Sequence, residues 1–575
     1  MTVSSHEPRR PLLFLGIALS AWMLTTSAQG SARVWQRLIA PLQDHRTAAA
    51  LAVLVMWLGF TYGTKIAGGA DSYGYVSQAD LWRRGQLTRP EPWIDQVPWP
   101  NAASTFAPLG YRTSTDGHTT VPSYPPGLPI LMAGAAVVAG HCAMFWIGPI
   151  SAALMILGTF ALGRRLSHPR VGLVAALLVA SSPVFLFMLP QPMSDVPVTA
   201  AWTLALLWVY SRSLWSAGAS GLASGLGSLI RPNLAPLAII PLGWLVYKAA
   251  RSADSGERSL RRRQVIAYLA GIAPGALVLA FFNWQMFGSP LKSGYGDLNV
   301  IFAWENLWPN LKNYVSWFAD LGGLLPIAGL AALCVPRLGG WPETTDRSFL
   351  VALGLFIVLL VAQYCAYAVF DAWWYLRFLL PGFPLIMLGF AQLVWRFAGV
   401  GRVAGRVATV IVLVLVVRGA WRGVTEWSFD LWQSEYRYVA TSHLVRDLTP
   451  ANSIVIAGQH SGAVRYYAGR MTLNWGWLDR EWLDRAVAFF EDHGVQPYVL
   501  LDDWEARDFA KYFEGQATLA RLSAPPVLEY LTSGTTRLFE LRREPRTGSP
   551  LVVRAQRQKR AVCYPPAPLP AITLK

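Results

Sequence analysis

A carboxylate at the end of an apolar helix can take a proton where a lipid-anchored substrate meets water. Asp71 has that placement. It follows the apolar run 47–62, within Gly68-Gly69-Ala70-Asp71-Ser72-Tyr73-Gly74-Tyr75. The glycine pair permits backbone angles closed to other residues, and Tyr73 and Tyr75 suit a polar–apolar boundary. More polar residues fall at the ends of other apolar runs: Asp195, Arg231, Lys292, Asp371 and Arg377. Each has a purely structural use as well. Asp71 and Asp195 could cap the helices that follow them, Arg231 and Arg377 could snorkel to the interface, and Lys292 could be a solvated loop residue. Charged residues at membrane depth are nevertheless functional candidates. Two carboxylates and several cations at span ends suit a substrate that is both anionic and lipid-anchored. Tyr75, Tyr124 and Tyr295 are candidate substrate contacts. Asp71 and Asp195 could share a divalent metal ion, although no compact ligand cluster is visible. Cys142, Cys334, Cys365 and Cys563 lack metal-ligand spacing. Three of them lie in or beside apolar runs and read as small packing residues.

The elements that must position these residues are membrane helices. The chain has 575 residues, of which 53% are hydrophobic and 14% charged, against about 25% charged in soluble domains. Many apolar runs approach the ~20 residues needed to cross a bilayer. The net charge of +16 lies mostly in short loops between those runs and in a basic tail. It reports topology and is not a nucleic-acid signal.

The sequence predicts a polytopic α-helical membrane protein with about eleven spans between residues 47 and 420, because Arg-rich and Arg-poor loops alternate. Spans are expected at 171–189, 264–282, 319–335 and 405–420, among others. The loop 65–126 is expected outside and the basic loop 248–263 inside. Residues 217–230 are small and Gly-rich, which suits close helix packing. Residues 1–46 contain an apolar run, 11–29, that reads equally as a signal-like segment, an extra span, or sequence upstream of the true start.

From 421 the composition changes. Residues 453–457 and 495–501 read as strands, and 480–493 as a helix stopped by Gly494. This predicts a small extracytoplasmic α/β domain over 421–543, with Asp502-Asp503 in a loop. The basic, Pro-rich residues 544–575 are expected to be disordered.

Short motifs recur in order along 47–420: Ala70-Asp71-Ser72, Tyr124-Pro125-Pro126-Gly127, Met193-Ser194-Asp195-Val196-Pro197, Leu229-Ile230-Arg231-Pro232, Phe287-Gly288-Ser289-Pro290 and Arg377-Phe378-Leu379-Leu380-Pro381. Together with Arg465-Tyr466-Tyr467-Ala468-Gly469-Arg470 in the C-terminal domain, this pattern resembles the GT-C superfamily of membrane glycosyltransferases. The branch it is most similar to holds aminoarabinose transferases of lipid A and protein O-mannosyltransferases. Many relatives carry Asp-Glu in the first loop, where this chain has Asp71-Ser72. The resemblance implies a polyprenyl-phosphate-linked sugar donor, inversion at the anomeric carbon and an extracytoplasmic active site on the bacterial cytoplasmic membrane. The acceptor would be a lipid, a glycan or a protein. Asp71 would be the general base, Asp195 a second catalytic carboxylate, and Arg231, Lys292 and Arg377 the donor-phosphate contacts. Some relatives bind a divalent metal.

Two other classes compete. A transporter or flippase of lipid-linked sugars would show paired repeats and broken helices at the midplane, and no repeat is visible. A non-catalytic membrane scaffold would leave the charges at the span ends without a use.

Overall fold

The computed structural model describes residues 45–544 and 546–568. The N-terminal apolar run 11–29 lies outside them. The chain divides into two compact units. One holds the described residues up to Thr61 with Gly148–Val278 and Asp297–Phe429. The other holds Tyr62–Ile147, Leu279–Gly296 and the residues from Asp430 onward.

The first unit is helical, as it must be if every backbone N–H and C=O is to find a partner in lipid. Among the described residues of the whole chain, six helices are long and apolar enough to cross a membrane: His141–Leu166, Pro232–Arg251, Ser255–Phe287, Arg347–Cys365, Trp373–Ala398 and Arg402–Thr425. The pair Trp304–Gly322 and Leu325–Cys334, bent by 116°, makes a seventh if counted as one span. The chain is thus a polytopic helical membrane protein with six to seven candidate spans.

That falls short of the expected eleven, and the shortfall has local causes. The run 171–189 breaks into helices Pro169–Ala180 and Pro183–Met188; Pro183 has no N–H to continue the first. The run 319–335 straddles the bend, where Gly323 turns at φ +81°. The basic stretch expected as a loop up to 263 is instead the start of helix Ser255–Phe287.

Small residues set the packing inside this unit. A Cβ on Gly221 would lie 2.0 Å from the Tyr268 carbonyl oxygen, and one on Gly271 2.1 Å from that of Gly218. Helices Leu214–Ile230 and Ser255–Phe287 therefore touch backbone to backbone, as the Gly-rich run suggested. Ile266, Leu269 and Leu277 on the second helix are exposed, as expected of residues that face lipid.

The second unit carries two sheets. Strands β1 (Arg89–Pro90), β2 (Tyr111–Thr113) and β3 (Thr119–Pro122) form an antiparallel sheet in the order β1-β3-β2. The larger sheet contains β4 (Ser453–Ile456), β5 (Met471–Leu473), β6 (Gln496–Asp502), β7 (Leu528–Leu531), β8 (Thr535–Glu540) and β9 (Leu551–Arg554), in the order β5-β4-β6-β8-β7-β9. Both strands read from sequence are present, and helix Leu483–Asp492 ends before Gly494 at φ +72°.

Three expectations change here. Residues 65–126 are not a separate loop: Trp93, Trp99 and Phe106 share one core with Ile454, Leu473 and Phe490. Residues 551–554, assigned to a disordered tail, pair with β7 in parallel. Cys142, expected as a packing residue, is instead disulfide-bonded to Cys563, 421 positions away in sequence. None of these partnerships has a local signal.

Candidate active site

Each unit gathers part of the charged set. In the second unit, helix Asp71–Arg83 opens at Asp71. Its side chain accepts a hydrogen bond from the Tyr124 hydroxyl at 2.6 Å. The helix grips Tyr124 with one face, at the i, i+3, i+7 spacing that lines residues up along a helix. Gly74 lies flat against the tyrosine ring, so that a Cβ there would sit 2.1 Å from it. Gln78 Nε2 donates to the Tyr124 carbonyl at 3.1 Å. The Tyr75 ring packs 4.6 Å from that of Tyr124, and the ring of Tyr295, which is exposed, lies 6.4 Å away. Burial, and then the neighbouring Asp71 carboxylate, push the Tyr124 phenol well above its ordinary value. Tyr124 therefore stays protonated and donates, which holds the Asp71 carboxylate in one orientation. Asp71 also sits in the first helical turn, where the backbone dipoles favour negative charge.

Lys292 is in an exposed turn. Its side chain has no hydrogen bond or ion pair among the described residues.

In the first unit, Asp195 is almost fully buried in the first turn of helix Asp195–Val209. Arg231 Nη2 donates to its Oδ1 at 2.6 Å, and Arg377 Nε lies 4.0 Å from the same oxygen. The arginines are held in turn. Arg231 Nε donates to the Ser194 hydroxyl at 2.9 Å, and its Nη1 is 3.4 Å from the Tyr364 hydroxyl, which also accepts from Asn233. Both guanidiniums lie over the Phe378 ring, at 5.6 and 5.5 Å, and Phe378 stacks on Tyr364. Neither arginine is merely snorkelling: two guanidinium groups converge on one carboxylate. Tyr364 and Asn233 were not singled out from sequence, and Ser194 appeared only within the motif around Asp195; for Tyr364 the available signal was its pairing with Tyr367 at the end of an apolar run.

The metal expectation does not fit Asp195, because two guanidiniums beside the carboxylate repel a cation. Among the described residues, no group of three or more His, Cys, Asp or Glu side chains is placed to hold a metal ion. Asp502, expected in a loop, instead ends β6 and is buried against His460 and Thr536.

Residues 123–284 match the family described as dolichyl-phosphate-mannose-protein mannosyltransferase. Among solved structures, the chain is similar to ArnT from Cupriavidus metallidurans bound to undecaprenyl phosphate. The identity is 13%, the match covers 88% of this chain and 99% of that one, and the TM-score is 0.50. It is also similar to the oligosaccharyltransferase of Archaeoglobus fulgidus in complex with Zn and sulfate. There the identity is 13%, the coverage 85% and 72%, and the TM-score 0.52. At these identities the likeness is one of fold. No curated protein sequence matches.

Proposed function

We infer, from the match of residues 123–284 to the mannosyltransferase family and the likeness of fold to ArnT, that the chain is a GT-C membrane glycosyltransferase that moves a sugar from a polyprenyl-phosphate donor to an envelope acceptor. Asp71 takes the proton of the acceptor hydroxyl, whose oxygen attacks the anomeric carbon and inverts it. The bond to the phosphate oxygen breaks, and the lipid phosphate leaves. Arg231 and Arg377 meet the charge that develops on it. Planar guanidinium forks match phosphate oxygens, and fixed cations act where charge appears in the transition state. Lys292 is a third, solvated contact in this reading. Asp195 orients the two arginines, and Tyr75, Tyr124 and Tyr295 line the approach to Asp71.

The observation that carries the reading is the pair of arginines locked on Asp195 beside an aromatic wall. That is a ready place for an anion at the end of membrane helices. The likeness to a structure holding undecaprenyl phosphate supports the same donor class.

The active face is the extracytoplasmic side of a bacterial inner membrane. The Cys142–Cys563 disulfide supports that side, since disulfides persist in oxidising compartments. About eleven crossings remain part of this proposal, with helix His45–Tyr62 and the shorter apolar helices Gly127–Ala139, Pro169–Ala180 and Asp195–Val209 contributing.

Mass spectrometry of envelope lipids, glycans and proteins, with and without the gene, tests the function. A sugar mass present only with the gene, and lost with Arg377→Ala, is expected. An envelope unchanged by deletion would overturn it.

A further inference from the structure

The C-terminal sheet contains an arrangement that usually binds a ligand. β5, β4 and β6 run parallel in that spatial order. The chain leaves β4 for β5 on one side, then crosses back to β6 on the other. Sheets of this kind open a crevice beyond the strand C-termini where the order reverses.

Here that point is filled by the protein itself. Beyond β4, the fully buried His460 places its Nε2 3.0 Å from Asp502 Oδ1, at the end of β6. Asp502 also accepts from the Thr536 hydroxyl and lies 3.7 Å from Arg437. The Tyr438 ring packs 4.8 Å from His460, and its hydroxyl accepts from Gln459 Nε2 at 3.0 Å and Arg437 Nη2 at 2.9 Å. Against this group lie Gly68 and Gly69. A Cβ on Gly68 would stand 2.5 Å from Glu435 Oε2 and 2.6 Å from the Tyr438 ring. One on Gly69 would stand 3.1 Å from Gln459 Nε2. Gly69 turns at φ +58°, and the Gly68 carbonyl accepts from the Tyr73 amide in the first turn of the Asp71 helix.

We propose that His460, Asp502 and Tyr438 are positioning residues for Asp71. The switch point of the C-terminal sheet clamps the Gly68–Gly69 turn, and that turn fixes where the Asp71 helix begins. The outer domain is then part of the catalytic apparatus, not an appendage. The proposal rests on the reading of Asp71 as the base. It goes beyond that reading by naming what aims the base.

The test uses full-length His460→Ala, His460→Gln and Tyr438→Phe. Three quantities are read: hydrogen exchange of the 66–75 peptide, binding of undecaprenyl phosphate, and the rate of the gene-dependent envelope product per folded protein. His460→Ala and Tyr438→Phe should speed exchange at 66–75 and slow the product by roughly 10- to 100-fold, the scale of an ångström misplacement. Undecaprenyl phosphate affinity should stay unchanged. His460→Gln keeps a donor for Asp502 and should recover most of the rate. Unchanged exchange at 66–75, or faster exchange with a wild-type rate, would overturn the clamp. So would a rate loss that follows lipid affinity. Asp71→Asn is measured in parallel. If it is inactive while the clamp variants are fully active, only the positioning role fails. If it is itself active, the base reading fails and takes the clamp with it.

Discussion

Replacing Gly74 by alanine perturbs the grip on Asp71 at its tightest point. The new Cβ would lie 2.1 Å from Tyr124 Cε2 and 2.3 Å from Cδ2, whereas carbon atoms pack at about 3.5–4.0 Å. The ring must therefore move by more than an ångström. Its backbone cannot simply retreat, because Gln78 holds the Tyr124 carbonyl at 3.1 Å. Displacing the ring pulls the hydroxyl out of its 2.6 Å contact with Asp71. A hydrogen bond to a charged group is worth about 1.5–3 kcal/mol, so the rate should fall roughly ten- to a hundredfold. Tyr124→Phe removes only the hydroxyl and should cost about the same. Because both changes break one contact, the double variant should be no worse than the poorer single variant. The assay is the rate of the gene-dependent envelope product in membranes, normalised to folded protein. Wild-type turnover in Gly74→Ala, or losses that multiply in the double variant, would refute this geometry.

Other consequences concern the proposed phosphate site and the C-terminal domain. Arg231→Ala and Arg377→Ala should each weaken undecaprenyl phosphate binding by roughly tenfold or more, with Arg377→Lys recovering part of it because an ammonium lacks the planar fork; unchanged affinity in both alanine variants removes the arginines from the donor site. Thiol alkylation after denaturation should find Cys334 and Cys365 without reductant and all four cysteines with it; four reactive thiols without reductant would contradict the disulfide. Burial alone would raise the Asp502 carboxyl, but the His460 hydrogen bond and charge, Arg437 and Thr536 outweigh it and hold the group below the usual carboxylate range. Its stabilisation is therefore present above the unfolded value and lost as pH falls. Asp502→Asn should melt lower than wild type at pH 7, with the gap closing below about pH 4; a gap independent of pH would contradict this.

Periodic, local features were legible in the sequence. The strands at 453 and 496, the helix stopped by Gly494 and the Gly-rich helix face all follow from side-chain spacing within a few residues. Asp71, Asp195, Arg231 and Arg377 stood out because charge at the end of an apolar run is costly. What spacing does not carry is partnership across hundreds of residues. Tyr124 shows as an aromatic beside prolines, but not as the donor to Asp71. Trp93 and Trp99 read as loop tryptophans, because the core that buries them is built from residues beyond 450. Cys142 and Cys563 each look like isolated cysteines. The basic tail has a disordered composition, and β9 forms only because β7 offers an edge. Hydropathy averages over runs that a single Pro183 or Gly323 divides, so the breaks in 171–189 and 319–335 do not show in it.

Asp71→Asn removes the proposed general base and little else. Asparagine keeps the size and can still accept from Tyr124, but it has no basic carboxylate. Single-turnover formation of the gene-dependent product should fall roughly 10²- to 10⁴-fold, as for loss of a general base, while undecaprenyl phosphate binds as in wild type. Near wild-type turnover in Asp71→Asn, beside an inactive Asp195→Asn, would contradict the account and move the base to Asp195.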